Sequence, residues 1–179
     1  MSKRDDIVTA AVGVFSRHGF RRTSMDLVAQ AAGVSRPALY QYFRNKRDVF
    51  AAVADLVTER VTRAALDAAR AEGTVADRVY GVLAVKLDTT AGIAEARFVQ
   101  ELVAEAAAME LGSAESRLTE ITADLLTGTP EPRETAALLL ASTVGVARSE
   151  GSPKTLHRRL RRLVDLVVDG LGTPASSRS

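Results

Sequence analysis

Residues 23–46, TSMDLVAQAAGVSRPALYQYFRNK, constrain the fold more than any other stretch of the chain. Two short helical patterns stand on either side of a glycine. Thr23 suits an N-cap, with Asp26 three positions on, and Met25, Val28, Ala29 and Ala32 then keep helical spacing. Gly33 enters the left-handed region at no steric cost, so the helix can stop and the chain can turn. Val34 fills the corner. Ser35 caps a second helix, expected over 35–43, whose first turn accepts Pro37 because those N–H groups have no intrahelical partner anyway. Leu39 and Phe43, four apart, face inward, and Ala29 is small where the second helix must cross closely. The pattern predicts a helix-turn-helix, whose second helix is the one that enters a major groove.

With Leu39 and Phe43 inside, the second helix turns Arg36, Pro37, Tyr40, Gln41 and Arg44 outward, with Tyr42 at the edge. Arginine can pair with guanine O6 and N7, glutamine can pair with adenine, and tyrosine hydroxyls reach phosphate. Lys46 follows Asn45, which can start the next helix, and a lysine beside a helix N-terminus is well placed for a phosphate oxygen. An ordinary helical hairpin with a solvated polar face is the competing reading. The coincidence of cap, small residue, glycine, corner valine and basic-aromatic outer face favours the nucleic-acid reading. Charge agrees: residues 1–50 carry nine Lys/Arg against four Asp/Glu, and residues 51–179 carry fifteen against eighteen.

The stretch GFRRTSMDLVAQAAGVSRPALYQYFRNKRDVF resembles the DNA-binding segment of the TetR family of bacterial transcription regulators. Gly19-Phe20, Thr23-Ser24, Val28-Ala29, Ala32-Gly33-Val34-Ser35, Leu39-Tyr40, Tyr42-Phe43 and Asn45-Lys46 carry the likeness, which covers residues 5–55. The resemblance implies a homodimeric repressor that binds a pseudo-palindromic double-stranded DNA operator and is released by a small-molecule effector. The DNA contacts expected here are Thr23, Ser24, Ser35, Arg36, Pro37, Tyr40, Gln41, Tyr42 and Lys46. Arg36, Gln41 and Tyr40 would read bases; Thr23, Ser24, Tyr42 and Lys46 would hold phosphates. An effector pocket is implied within residues 60–127, with Tyr80, Lys86, Phe98, Glu101, Leu102 and Met109 as its candidate lining. Walls of Ala, Val and Leu would suit an apolar effector.

The rest of the chain reads as helices, giving an all-α fold of about nine: 3–18, the two of the helix-turn-helix, 46–71, 74–89, 93–111, 114–127, 130–149 and 152–170. Gly19, Gly73, Gly92, Gly112-Ser113 and Gly128-Thr129-Pro130 mark the breaks. Expected domains are 1–46 for DNA binding and 47–173 for effector binding and dimerisation, with a disordered tail at 174–179. The uninterrupted helix 46–71 would join the two as a rigid rod. TAALLLASTVGVA is apolar nearly all round, which a helix tolerates only when several faces are covered. With the final helix it forms the expected dimer surface: Leu140, Ala141, Val144, Gly145, Leu156, Leu160, Leu163, Val164 and Val167. In the resembling family the last two helices of each subunit form a four-helix bundle. Arg158, Arg159, Arg161 and Arg162 lie largely opposite and read as a solvated face.

Enzymatic readings find little to hold. The chain contains no P-loop, no G-x-G-x-x-G, no H-E-x-x-H and no G-x-S-x-G, and its two His are far apart. No Cys is present, which removes disulfides and thiol chemistry and fits a reducing cytoplasm. No cofactor or metal is expected. The first residues lack a signal-peptide core, and the longest uncharged apolar run, Thr135 to Ala147, is too short to span a bilayer. A cytoplasmic protein without a membrane partner is expected.

Overall fold

The computed structural model describes residues 2–94, 98–111 and 114–172, so the expected break at 112–113 and the expected disordered tail at 174–179 lie outside the described residues. Among the described residues the fold is all-α: α1 (Lys3–Arg22), α2 (Met25–Ala31), α3 (Arg36–Tyr40), α4 (Lys46–Arg70), α5 (Val75–Ala94), α6 (Val99–Ala108), α7 (Ala114–Leu125), α8 (Pro132–Ala147) and α9 (Pro153–Gly172). The chain divides into two compact units: residues 1–59 with 93–112, and residues 60–92 with 113–179. Helix α4 runs through the boundary without interruption. Residues 47–59 and 93–112 fall in the first unit, so these units are not the expected 1–46 and 47–173.

In the first unit α1, α2, α3 and the start of α4 share one core, containing Ile7, Ala11, Phe15, Phe20, Val28, Ala29, Leu39, Phe43, Val49, Phe50 and Val53. Phe15, Phe20 and Phe50 form a ring cluster, with centroids 5.1 Å apart for Phe15–Phe50 and for Phe20–Phe50. Edge contacts of this kind add about 0.5–1.5 kcal/mol each beyond area burial. Gly19 does break α1, at φ 73°, but one further helical turn follows before α2. Leu102 and Ala106 of α6, with Met109 and Leu111 just beyond it, pack onto the same core.

The second unit holds the rest of α4 with α5, α7, α8 and α9. Its core contains Val79, Val82, Leu83, Leu87, Leu118, Leu126, Leu139, Leu140, Leu156, Leu160 and Val164. Gly81 lets α5 approach α4, since a Cβ there would lie 3.1 Å from the Ala68 methyl. A polar ladder ties α5 to α9. Arg161 Nη1 donates to Asp77 at 2.6 Å, the Tyr80 hydroxyl meets His157 Nδ1 at 3.1 Å, and His157 Nε2 meets Asp88 at 2.8 Å. Two expected boundaries are corrected. Gly92 does not break the chain, because α5 continues to Ala94, and α6 is correspondingly short. A single glycine in a helix interior costs only about 1 kcal/mol, which packing outweighs.

Candidate nucleic-acid interface

Two helix ends and two caps set the reading surface. Helix α2 is capped by Ser24, whose hydroxyl accepts from Leu27 N at 3.2 Å. Thr23 is therefore not the cap. It is buried, and its hydroxyl donates to Gly19 O at 2.6 Å. At the other end Gly33 takes φ 61°, its N–H donates to Gln30 O, and Val34 N donates to Ala29 O at 3.0 Å. These are the two bonds of a Schellman motif. Ser35 then caps α3 through Ala38 N, and Pro37 occupies the first turn, as the sequence predicts.

Helix α3 is shorter than expected. It ends at Tyr40, and Gln41, Tyr42 and Phe43 follow as a turn whose N–H groups reach back to Ala38 and Leu39. The inward pair holds all the same, with Leu39 and Phe43 buried. Their burial leaves Ser35, Arg36, Pro37, Tyr40, Gln41 and Tyr42 on the outside, with each tyrosine 42% exposed. Arg44 is exposed next to them and pairs with Asp48 at 3.2 Å. Asn45 caps α4 by accepting from Asp48 N at 3.0 Å. Arg4 lies 5.1 Å over the Phe43 ring.

The two cations singled out in the sequence are both engaged. Arg36 Nη1 donates to both carboxylate oxygens of Asp26, at 2.9 Å each, and its Cζ lies 5.7 Å from the Tyr40 ring centroid. Tyr40, and then Asp26, push the Arg36 guanidinium above its ordinary value. Lys46 is the first residue of α4. Its ammonium donates to Phe20 O at 2.8 Å and Arg21 O at 3.3 Å, and sits 4.5 Å over the Phe20 ring. It closes the carbonyl end of α1, a role the sequence reading missed.

The six candidate effector residues are divided between the two units. Phe98, Glu101, Leu102 and Met109 belong to the first unit; Tyr80 and Lys86 belong to the second. Leu102 and Met109 pack on the core of the helix-turn-helix unit. Glu101 Oε1 accepts from Arg21 N at 2.7 Å, and Glu105 pairs with Arg47 at 3.4 Å. Phe98 lies under Arg22, and both Phe98 and Glu101 crowd Gly19, where a Cβ would meet them at about 3 Å. Lys86 pairs with Glu115. Tyr80 is held by His157.

The expected dimer surface also needs correction. Leu140, Leu156, Leu160 and Val164 are inside the second unit's core, and Leu163 and Val167 are partly buried against it. Val144 is half-buried, while Ala141 and Gly145 are exposed. Leu138 of α8 and Leu166 of α9, 59% and 56% exposed, are the large apolar side chains these helices turn outward. Beside them a surface groove of about 680 Å³ runs over Ser142, Gly145, Val146, Arg159 and Leu163.

The chain is similar to several known proteins. The family described as "Bacterial regulatory proteins, tetR family" matches residues 7–53. The HTH-type transcriptional regulator AcrR of Shigella flexneri is 29% identical over 101 residues, 56% of this chain and 47% of that protein. The HTH-type transcriptional activator FasR of Mycolicibacterium smegmatis is 41% identical over 51 residues, 28% of this chain and 23% of that one. The chain thus spans less than half the length of each of these relatives. A TetR-like transcriptional regulator from Rhodococcus sp. RHA1 shares the fold at a TM-score of 0.67 and 25% identity, over 94% of this chain and 96% of its own. Residues 7–53 are thus similar to the DNA-binding segment of the tetR family of bacterial regulatory proteins, and the described residues share the all-α fold of such regulators.

Proposed function

We propose that the chain is a DNA-binding transcriptional regulator that acts as a homodimer, each copy laying residues 35–42 in a major groove of a pseudo-palindromic operator. One observation carries this reading. Leu39 and Phe43 are buried, so Arg36, Pro37, Tyr40, Gln41 and Tyr42 share one exposed surface at the end of a capped helix. That is the placement a recognition helix needs. Arg36 and Gln41 read bases; Ser24, Ser35, Tyr40 and Tyr42 hold the backbone. Thr23, buried, supports them from within. Lys46 contacts phosphate only through the donor capacity its two carbonyls leave.

Selection of bound duplexes from random DNA tests this directly. A two-fold-related consensus, with affinity falling steeply as salt rises, is the expected result. Equal, weak binding to every duplex would leave a helical dimerisation protein instead. Direction of control is a separate matter: repression is proposed from the family likeness, while FasR is an activator. A promoter fusion with and without the protein decides it.

We also propose a small, largely apolar effector held by the second unit. Its support is local. The Thr62 hydroxyl and the Arg78 Nε are buried there without a hydrogen-bond partner, and such atoms are rare unless something else satisfies them. The effector acts through α4, which both units share, and must bind the DNA-incompetent form more tightly, or nothing shifts. A thermal-shift screen whose hits also release the operator supports this; hits that leave operator binding untouched leave a constitutive regulator.

A further inference from the structure

The arginine that opens α3 stands where helix electrostatics disfavours it. Ser35 is the cap, so Arg36 occupies the first helical position, where the N–H ends of the backbone repel a cation. Its orientation needs another cause, and Asp26 supplies it. Asp26 sits in the first turn of α2, where a carboxylate is favoured, and both its oxygens take hydrogens from Arg36 Nη1 at 2.9 Å. The two side chains remain 57% and 62% exposed, so the pair stands at the surface that carries Tyr40 and Gln41. Asp26 engages one guanidinium nitrogen of three. Nε and Nη2 form a second fork, and two parallel donors of that kind match O6 and N7 of guanine once the Tyr40 hydroxyl, which also bonds the guanidinium, gives way to the base. The Tyr40 ring centroid lies 5.7 Å from the guanidinium carbon and gives the side chain a second contact.

We infer that Asp26 is a positioning residue for base reading: it aims the Nε–Nη2 fork of Arg36 at a guanine, and so sets the preference at one base pair of each half-site. The inference rests on the DNA-binding reading above and adds to it a residue that touches no base. A carboxylate at this place also opposes phosphate, so Asp26 lowers affinity for random DNA while raising discrimination.

The test uses the full-length protein and measures binding to the selected operator and to a set with the guanine position replaced by each other base. Asp26→Ala is expected to cut the preference for guanine about ten-fold, within the range of one bidentate contact, and to leave binding to random duplex equal or tighter. Arg36→Ala should give the same loss, and the double variant should lose no more than either single one. Asp26→Asn, which keeps an acceptor, should recover part of the preference. Thermal unfolding of the variants serves as the folding control. Unchanged base preference in Asp26→Ala, or losses that add in the double variant, would overturn the assignment while leaving DNA binding intact. A wild-type protein that selects no sequence at all would bring down the DNA-binding reading itself, a result distinct from the other two.

Discussion

Gly33 and Glu110 occupy equivalent positions at the ends of α2 and α6, and only one of them suits its backbone. Both are left-handed, at φ 61° and φ 54°, and both ends carry the long bond of a Schellman motif: Val34 N to Ala29 O, and Leu111 N to Ala106 O, each 3.0 Å. A Cβ on Gly33 would meet nothing within 4 Å, so the cost of Gly33→Ala is conformational and about 1 kcal/mol. Glu110→Gly should be neutral or stabilising by up to about 1 kcal/mol. Urea unfolding with unchanged slope checks both, and opposite signs are the expected outcome. Lys46 makes the corresponding test for a charged group. Were it only a phosphate ligand, Lys46→Ala would leave stability alone; its bonds to Phe20 O and Arg21 O predict a loss of roughly 1–2 kcal/mol in the absence of DNA. Gly33 was legible in the sequence because conformational freedom is a local property. The role of Lys46 was not, because the carbonyls it meets lie 25 and 26 residues away.

At the scale of elements, periodicity told which helices bury a face and left open what covers it. Leu102 and Ala106 of α6, with Met109 just beyond it, mark an apolar stripe that would serve equally well in an effector pocket or against α1. The structure places it on the helix-turn-helix core. Nothing in the sequence announces that Glu101 meets the Arg21 N–H and Glu105 meets Arg47. Replacing Glu101 by Ala should therefore speed hydrogen exchange at the Arg21 amide specifically, and unchanged protection there would remove α6 from its proposed hold on that turn. The ladder between α5 and α9 adds a pH dependence. The Thr74 hydroxyl, then Arg161, then the Thr74 amide hold the Asp77 carboxyl well below the usual carboxylate range. Its folded value is depressed, so its contribution is complete above the unfolded value near 3.8 and fades as pH falls below it. Asp77→Asn should flatten the acid side of the stability curve below about pH 4. The side chain is 42% exposed, so added salt should shrink the difference.

For the whole molecule, the proposed homodimer turns on which faces of α8 and α9 the chain covers by itself. The final helix has one strong apolar side, Leu156, Leu160, Leu163, Val164 and Val167, and a single helix cannot say whether that side meets its own chain or a second one. Here Leu156, Leu160 and Val164 complete the second unit's own core, leaving at most 7% of each exposed. A partner copy would instead meet what α8 and α9 leave outside: Leu138 and Leu166, with Ala141, Ser142 and Gly145 small enough to let another helix approach. These two leucine sets predict different behaviour under substitution. Leu160→Ala should cost roughly 2–5 kcal/mol of stability at any protein concentration, since it opens a cavity inside one copy. Leu138→Glu and Leu166→Glu should leave that intrinsic stability nearly unchanged, shift the sedimentation profile toward single copies, and weaken the concentration dependence of Tm that a dimer shows. Operator binding should fall with dimerisation, because a single copy engages one half-site and gives up the second contact. If Leu166→Glu instead unfolded the protein while the sedimentation of the folded fraction stayed dimeric, the two copies would have to meet on a surface other than the exposed faces of α8 and α9.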